Sequence, residues 1–453
     1  MNNLKETRRV LDYVWERLIT KIAPSAGTRY GNPLVGFPLV IDTPITIYVE
    51  TWGDDQSDGS SPLKPFRTIQ AALDWLRPFI IQANVTVQIG PGTFDGFECP
   101  DFNVSTGGAG HCPVVTIQGS LTTLATGTAT GGAIGVLNDT TQNWEIDGLK
   151  HKLIQMAGAT ARYWIHDNTS SSLRTVGNAN PAAGSTYTIS EIATHIAVNK
   201  LRSTAGTVVT GIWNSNQKAN NPTIAPYTLF KNLEIGSVAS APGYCLMNHG
   251  GCLTMAECQF TISGSVSLGI YAEAGSQIST IRSLFDISNT GAGTGILTYG
   301  AIYSLSSSLF RGTGLANQNG IIAYGGLHQN FSACLFEALS TAITPGASGV
   351  GLTGGFMGTF ISCTTAFYFQ APSNCTIHES SANLPGFPFT SAGNGTFIRA
   401  TYPSNVGVKS LFPSGLATTD IDLHGTTATL ATMRTTGVFP STPSAMGSRV
   451  YGF

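Results

Sequence analysis

The chain has 453 residues, with 23 Lys and Arg against 25 Asp and Glu, for a net charge of −2. Only 11% of residues are charged and 53 are glycine, where ordinary domains carry about 25% charge and about 7% glycine. With no basic surplus to neutralise phosphates, nucleic acid is excluded as a partner. The low charge also argues against a charged rod or a disordered chain, and no run approaches the ~18 apolar residues of a membrane span.

Residues 1–22 mix Lys5, Glu6, Arg8, Arg9, Asp12, Glu16, Arg17 and Lys21 into an apolar pattern. They lack the hydrophobic core of a secretory signal, so assembly in a cytoplasm is expected. The eight cysteines are then expected to be reduced, buried thiols. None forms a CxxC pair and no His stands at zinc-ligand spacing, so neither a metal nor a cofactor is expected. Leu4, Leu11 and Leu18, with Val14, Trp15 and Ile22, predict a helix over residues 4–22. It either docks on its own domain or forms a short seam between identical chains. A Pro/Gly-rich connector follows over residues 24–44.

The next motif runs Ile47-Tyr48-Val49, Gly53-Asp54-Asp55, Asp58-Gly59, then Pro65-Phe66-Arg67-Thr68-Ile69-Gln70-Ala71-Ala72-Leu73. Thr68 is a candidate N-cap, and Ile69, Ala72, Leu73 and Leu76 lie on one helical face. Asn84 to Ile89 alternates as a strand does and turns at Gly90-Pro91-Gly92. The spacing Asp54-x-Gln56-x-Asp58-Gly59 is either half of a calcium loop, lacking its distal Glu, or an Asx/Gly turn. Over about residues 47–96 the chain resembles the N-terminal cap of pectate-lyase-like right-handed β-helix proteins, particularly phage tailspikes and tail fibres.

Residues 125–192 carry short alternating segments broken by Asn138-Asp139, Asp147-Gly148, Asn168-Thr169 and Gly184-Ser185. This predicts a small inserted β domain protruding from the main body. The strongest signal lies in residues 193–400. Phe260, Phe285, Phe310 and Phe336 are spaced 25, 25 and 26 residues apart, each preceded two positions earlier by Cys258, Ser283, Ser308 or Cys334. Gly250, Gly275, Gly300 and Gly325 recur ahead of them, and Gly269-Ile270, Gly295-Ile296 and Gly320-Ile321 degrade to Ala342-Ile343. Such a period is a solenoid signature, and its Ile, Phe, Gly and Ser content favours strands. Stacked phenylalanines would form an internal ladder, with the small Cys and Ser positions lining a tighter part of the bore.

The same register predicts two outward features. Asp286, Arg311 and Glu337 follow successive phenylalanines, and Glu257 and Arg282 fall in adjacent repeats. They are either cross-strand ion pairs on a solvated wall or an acid/base pair, Asp286 and Glu337, with Arg311 binding substrate. His249, Ala274, Tyr299 and Tyr324 each precede a register glycine, with Glu273 beside them. Facing outward, Tyr299, Tyr324 and Glu273 would make a sugar-binding platform; otherwise they serve packing or a trimer contact.

The expected fold is mainly β: a right-handed parallel β-helix with an N-terminal helix and cap and a small inserted β domain. The expected divisions are 1–46, a helix and connector for virion attachment or trimer contact; 47–124, cap and first coils; 125–192, the insert; 193–400, the β-helix; and 401–453, a C-terminal cap. The resemblance implies a homotrimeric tailspike or fibre subunit, located in the virion tail after assembly in host cytoplasm. It implies attachment to phage tail, baseplate or connector proteins through the N-terminus and binding of a host-surface glycan. A polysaccharide depolymerase and a purely architectural decoration protein are the alternatives.

Overall fold

Two alternating segments start the core. In Ile45–Val49 and Val85–Ile89 every second residue is buried, and the strands pair in parallel from Ile45↔Val85 to Val49↔Ile89. Between them the helix Ile69–Leu76 buries Ile69, Ala72, Leu73 and Leu76, the face its spacing predicts. Thr68 is its N-cap, accepting the Ala71 N–H at 3.2 Å, while the Asp55 carboxylate accepts the N–H groups of Arg67 and Thr68 at 2.9 and 2.8 Å. Asp54 and Asp58 accept the N–H groups of Gln56 and Ser60 at 3.0 and 2.9 Å, so these acids hold the turn itself. Gly59 closes it at φ 63°, where a Cβ would lie 2.5 Å from the Phe66 ring.

The structure, a computed structural model, describes residues 28–29, 39–100, 102–105, 113–177, 179–198, 200–203, 207–214, 227–236, 243–262, 266–273, 275–287, 292–324, 327–345, 351–352, 356–369, 374–378, 396–400, 405–409, 419–423, 426–428 and 449–452. The helix expected over 4–22 lies outside the described residues, as do Cys112, Ala274, Gly325 and much of the expected C-terminal cap.

Beyond the cap the chain returns repeatedly to three columns of strands. Cys252–Ala256, Gln259–Thr261 and Val266–Ala272 are followed by Gln277–Ile281, Leu284–Asp286 and Gly293–Tyr299, then by Ile302–Ser306, Leu309–Arg311 and Gln318–Tyr324. Each strand pairs in parallel with its counterparts one repeat before and after. The long strand Leu327–Glu337 continues both of the first two columns and joins them into one sheet, while the third column is a second sheet. The molecule is thus mainly β with parallel sheets, and one continuous apolar core runs from Ile41 to Phe367.

In-register pairing sets each phenylalanine on its predecessor. Phe260 and Phe285 stack at 4.7 Å and 5°, Phe285 and Phe310 at 4.4 Å and 2°, and Phe310 and Phe336 at 4.8 Å and 10°. All four are fully buried. Each contributes about 1.5–3 kcal/mol through burial and a further ~0.5–1.5 kcal/mol through its ring neighbours. Gly295 must be glycine, because a Cβ there would lie 2.7 Å from the Gly320 oxygen and 2.9 Å from the Phe310 ring.

The bend between the first two strands of a repeat is made by one left-handed residue: Asn232, Glu257, Arg282 and Ser307, at φ 54°, 57°, 49° and 50°. The next small polar side chain reaches the carbonyl two residues behind it. Cys258 donates to Ala256 at 3.5 Å, Ser283 to Ile281 at 3.4 Å and Ser308 to Ser306 at 3.2 Å. This explains the alternation of Cys and Ser at that position: either residue is small enough for the bend and carries a donor. Cys99, Cys245, Cys258, Cys334 and Cys363 are buried, and burial pushes Cys258 up to about 12.

Between Val114–Gln118 and Thr194–Ala197 the pattern changes. Antiparallel strands run in the order Leu121–Thr128, Thr186–Ile192, Leu153–Met156, Arg162–Asn168, Ser172–Thr175, Val136–Asn138 and Gly131–Ala133. This module has its own core of Leu137, Ile154, Ile165, Leu173, Tyr187 and Ile189. Near the C-terminus, Thr396–Ala400 and Thr419–Leu423 extend the third column in parallel, and Thr426–Ala428 turns back antiparallel on it.

Phe310→Ala should destabilise the protein by about 3–5 kcal/mol, and Phe310→Leu by less. Gly295→Ala should also destabilise, although it adds only a methyl group. Urea denaturation followed by far-ultraviolet dichroism checks this; a Phe310→Ala midpoint equal to the parent's would contradict the stacked core.

Candidate functional site

With the phenylalanines inward, their neighbours form two outward columns: Glu234, Gln259, Leu284, Leu309 and Leu335, and Gly236, Thr261, Asp286, Arg311 and Glu337. Asp286, Arg311 and Glu337 therefore stack in the order their spacing predicts. The expected solvated wall is not what surrounds them. The antiparallel module lies against this face, where Leu284, Leu309 and Leu335 pack with its Leu153, Trp164, Val176 and Ile192. Three leucines in one outward column leave an apolar strip that must be covered.

Polar contacts fix the module in place. Trp164 Nε1 donates to the Arg282 carbonyl at 2.6 Å. Glu257 has a side chain with 0% exposure and takes the backbone N–H and Nη1 of Arg162, each at 3.0 Å, and Arg282 Nη2 at 3.2 Å, with Lys231 Nζ at 4.0 Å. A buried carboxylate so surrounded is compensated, and removing one partner of such a pair costs about 3–5 kcal/mol.

At the other end of the contact, Arg311 Nη1 donates to His151 Nε2 at 2.7 Å. Burial, then the Arg311 charge, lowers His151 to about 4, so the ring is neutral and accepts. His166 stands between Asp167, at 3.2 Å, and Glu337, at 3.5 Å, the latter a charged contact rather than a well-formed hydrogen bond. Burial opposes the charged imidazole, but the two carboxylates outweigh it and raise His166 to about 9. Burial likewise opposes the Glu337 and Asp167 anions, and His166 more than reverses this, leaving both below the usual range. Asp286 moves the other way: burial raises it, Arg311 pulls it back, and the Glu234 charge adds to the rise. Two carboxylates displaced in opposite directions suit a proton donor and a base, but Glu337 is also engaged by the module.

The third column of strands carries the second group. The pairings Asn248↔Ala272↔Thr298 and Tyr299↔Tyr324 set His249, Glu273, Tyr299 and Tyr324 in one register column. Glu273 itself occupies the place that counting from the turn glycines gives to Ala274, because the turn before Gly275 holds one residue more than the turn before Gly250. Ile296 and Thr298 are buried, Leu297 half-buried and Tyr299 exposed, so the tyrosine faces out. Tyr299 and Tyr324 are 44% and 36% exposed and stack at 5.0 Å and 23°. Tyr271 lies 5.9 Å from Tyr299 and stacks on Tyr244 at 5.2 Å and 13°, so four rings form a staircase. His249 Nδ1 lies in contact with Glu273 Oε2, with side chains 40% and 31% exposed. Burial raises the Tyr271 phenol, and the Glu273 charge raises it further.

Sequence spacing missed Tyr244 and Tyr271, which sit off the 25-residue stride. It also missed His151, Arg162, Trp164 and His166, which meet their partners from 95 to 171 residues away. No cluster of three or more His, Cys, Asp or Glu suited to a metal occurs among the described residues, and no described helix is long and apolar enough to cross a membrane.

The module contact should respond to pH at both ends. His166 is raised above its unfolded value, so its contribution is complete below about 6.5 and is lost as pH climbs through about 9. His151 is depressed, so its contribution is present above about 6.5 and is lost as pH falls through about 4. Lowered Asp167 and Glu337 add to the acid loss. Hydrogen-exchange protection at Arg162–Asn168, taken relative to the intrinsic exchange rate at each pH, should be greatest between these limits. His166→Gln should flatten the alkaline limb and His151→Gln should soften the acid one.

No family model matches the chain, and no curated protein matches it. Among solved structures, a complex of XylC with xylose shares 8% identity over 84% of this chain and 70% of its own, with a TM-score of 0.32. The GH136 lacto-N-biosidase of Eubacterium ramulus shares 9% over 84% and 68%, with a TM-score of 0.31. The tailspike of Pseudomonas phage phi297 shares 11% over 78% and 64%, with a TM-score of 0.19. The neighbours thus include glycoside hydrolases and phage tailspikes, as loose likenesses from which nothing about this chain's chemistry follows.

Proposed function

We propose that the three columns wind as one right-handed parallel β-helix and that the chain is a virion tailspike or tail-fibre subunit that binds a host-surface polysaccharide. Right-handed crossovers accompany nearly all parallel pairings of this kind. The cap resemblance over residues 47–96 supports the tailspike assignment, a homotrimer, and attachment to tail proteins through the N-terminal residues. The observation that carries glycan binding is the outward tyrosine staircase beside Glu273 and His249. Exposed rings present flat apolar faces edged by hydroxyl donors, and sugar rings present apolar faces edged by hydroxyls.

A depolymerase is the second reading, favoured by the opposite displacement of Asp286 and Glu337. In it Asp286 would donate a proton to the leaving oxygen, Glu337 would act as base and Arg311 would hold substrate.

Incubating the protein with polysaccharide from candidate hosts, and following polymer size by gel filtration, separates the readings. A binder co-elutes with intact polymer, and Tyr299→Ala or Tyr324→Ala should each weaken retention by about fivefold, the effect of ~1 kcal/mol. A depolymerase shortens the polymer, and Asp286→Asn and Glu337→Gln should each abolish shortening. Cleavage untouched by both substitutions would remove those residues from catalysis, and the absence of any interaction would leave the architectural alternative.

A further inference from the structure

We infer that the column His249–Glu273–Tyr299–Tyr324 selects a glycan bearing an amino group, held as a cation at Glu273 beside the tyrosine faces, and rejects glycans whose charge is carboxylate. The inference rests on the proposed glycan-binding role of the tyrosines and names the ligand class they would take.

Three features of the column point to this class. First, neighbouring strands stand about 4.8 Å apart, so Glu273 lies one strand step from Tyr299 and two from Tyr324 along the stack. A sugar seated on the rings places its neighbouring substituents within reach of the carboxylate. Second, the local charge favours a cation. The flanking outward column from Met247 to Thr344 contains Tyr271, Leu297 and Ile322, and neither it nor the Glu273 column holds a Lys or Arg among the described residues. His249 is the one basic side chain there, and it is engaged by Glu273. An anionic sugar would meet Glu273 without a guanidinium or ammonium to receive it.

Third, the donors and acceptors are complementary to an ammonium group. An ionised carboxylate has about four acceptor positions, and the contact from His249 occupies one oxygen, Oε2. The tyrosine faces carry the negative part of the ring quadrupole and attract a cation within about 6 Å. The Glu273 charge reaches the staircase itself, as its effect on Tyr271 shows. Glu273 and His249 are both partly open to solvent, so a ligand reaches them without opening the core.

Calorimetry with the full chain and three soluble probes of equal length tests this: glucosamine oligomers, glucose oligomers and galacturonate oligomers, at neutral pH and low salt. The expected order is glucosamine tightest and galacturonate weakest, with the spread shrinking in high salt. Glu273→Gln should weaken glucosamine binding by about fivefold, the upper end for an exposed charge contact, and leave glucose binding within about twofold. Tyr299→Ala should weaken all probes that bind. Galacturonate bound as tightly as glucosamine, or a ranking unchanged by Glu273→Gln, overturns the inference while leaving glycan binding intact. No binding of any probe, with a change of oligomeric mass in Tyr299→Ala, assigns the column to contact between chains and removes both readings.

Discussion

Parallel pairing in register constrains everything else in this molecule, because it seats each side chain on the equivalent side chain of the preceding repeat. A residue acceptable once must be acceptable against its own kind. Flat phenylalanine rings satisfy that condition, and Phe260, Phe285, Phe310 and Phe336 pile face to face at 4.4–4.8 Å. The bend must repeat as well, so a left-handed residue followed by a small donor recurs at Glu257–Cys258, Arg282–Ser283 and Ser307–Ser308.

The same constraint shapes the exterior. Leu284, Leu309 and Leu335 accumulate in one outward column, and the strip they form is covered by Trp164, Val176 and Ile192 of the antiparallel module. The charged residues beside that strip are drawn into the contact. Glu257 is enclosed by two arginines and approached by Lys231, Glu337 meets His166, and Arg311 meets His151. Residues that on an open wall would exchange weak surface ion pairs here lie in a low-dielectric contact, where their protonation states depend on one another.

The tyrosine staircase differs because Tyr299 and Tyr324 stay open to solvent and are the most exposed of its rings. It runs diagonally across the third column, from the start of Gly243–Asn248 to the ends of Gly293–Tyr299 and Gln318–Tyr324. A linear ligand aligned with it would meet aromatic faces over several strands and one acid–imidazole pair at its side. The module-covered ladder and the staircase thus present different chemistry: titratable groups held in a packed contact, and an open aromatic surface with a single carboxylate.

The sequence by itself determined whatever depends on a short period or on the repeat. The Thr68 cap and helix face, the phenylalanine ladder, the stacking of Asp286, Arg311 and Glu337, and the outward phase of Tyr299 and Tyr324 were all legible. Each follows from residues within a few positions or from one fixed stride. The tertiary structure alone decided what lies over those columns. That Arg311 meets His151 of the inserted module, that His166 holds Glu337, and that Tyr244 and Tyr271 extend the staircase off the stride carry no mark in local sequence. The partners are separated by up to 171 residues, and their meeting follows from how the antiparallel module closes over an apolar strip, a matter of shape and burial rather than of period.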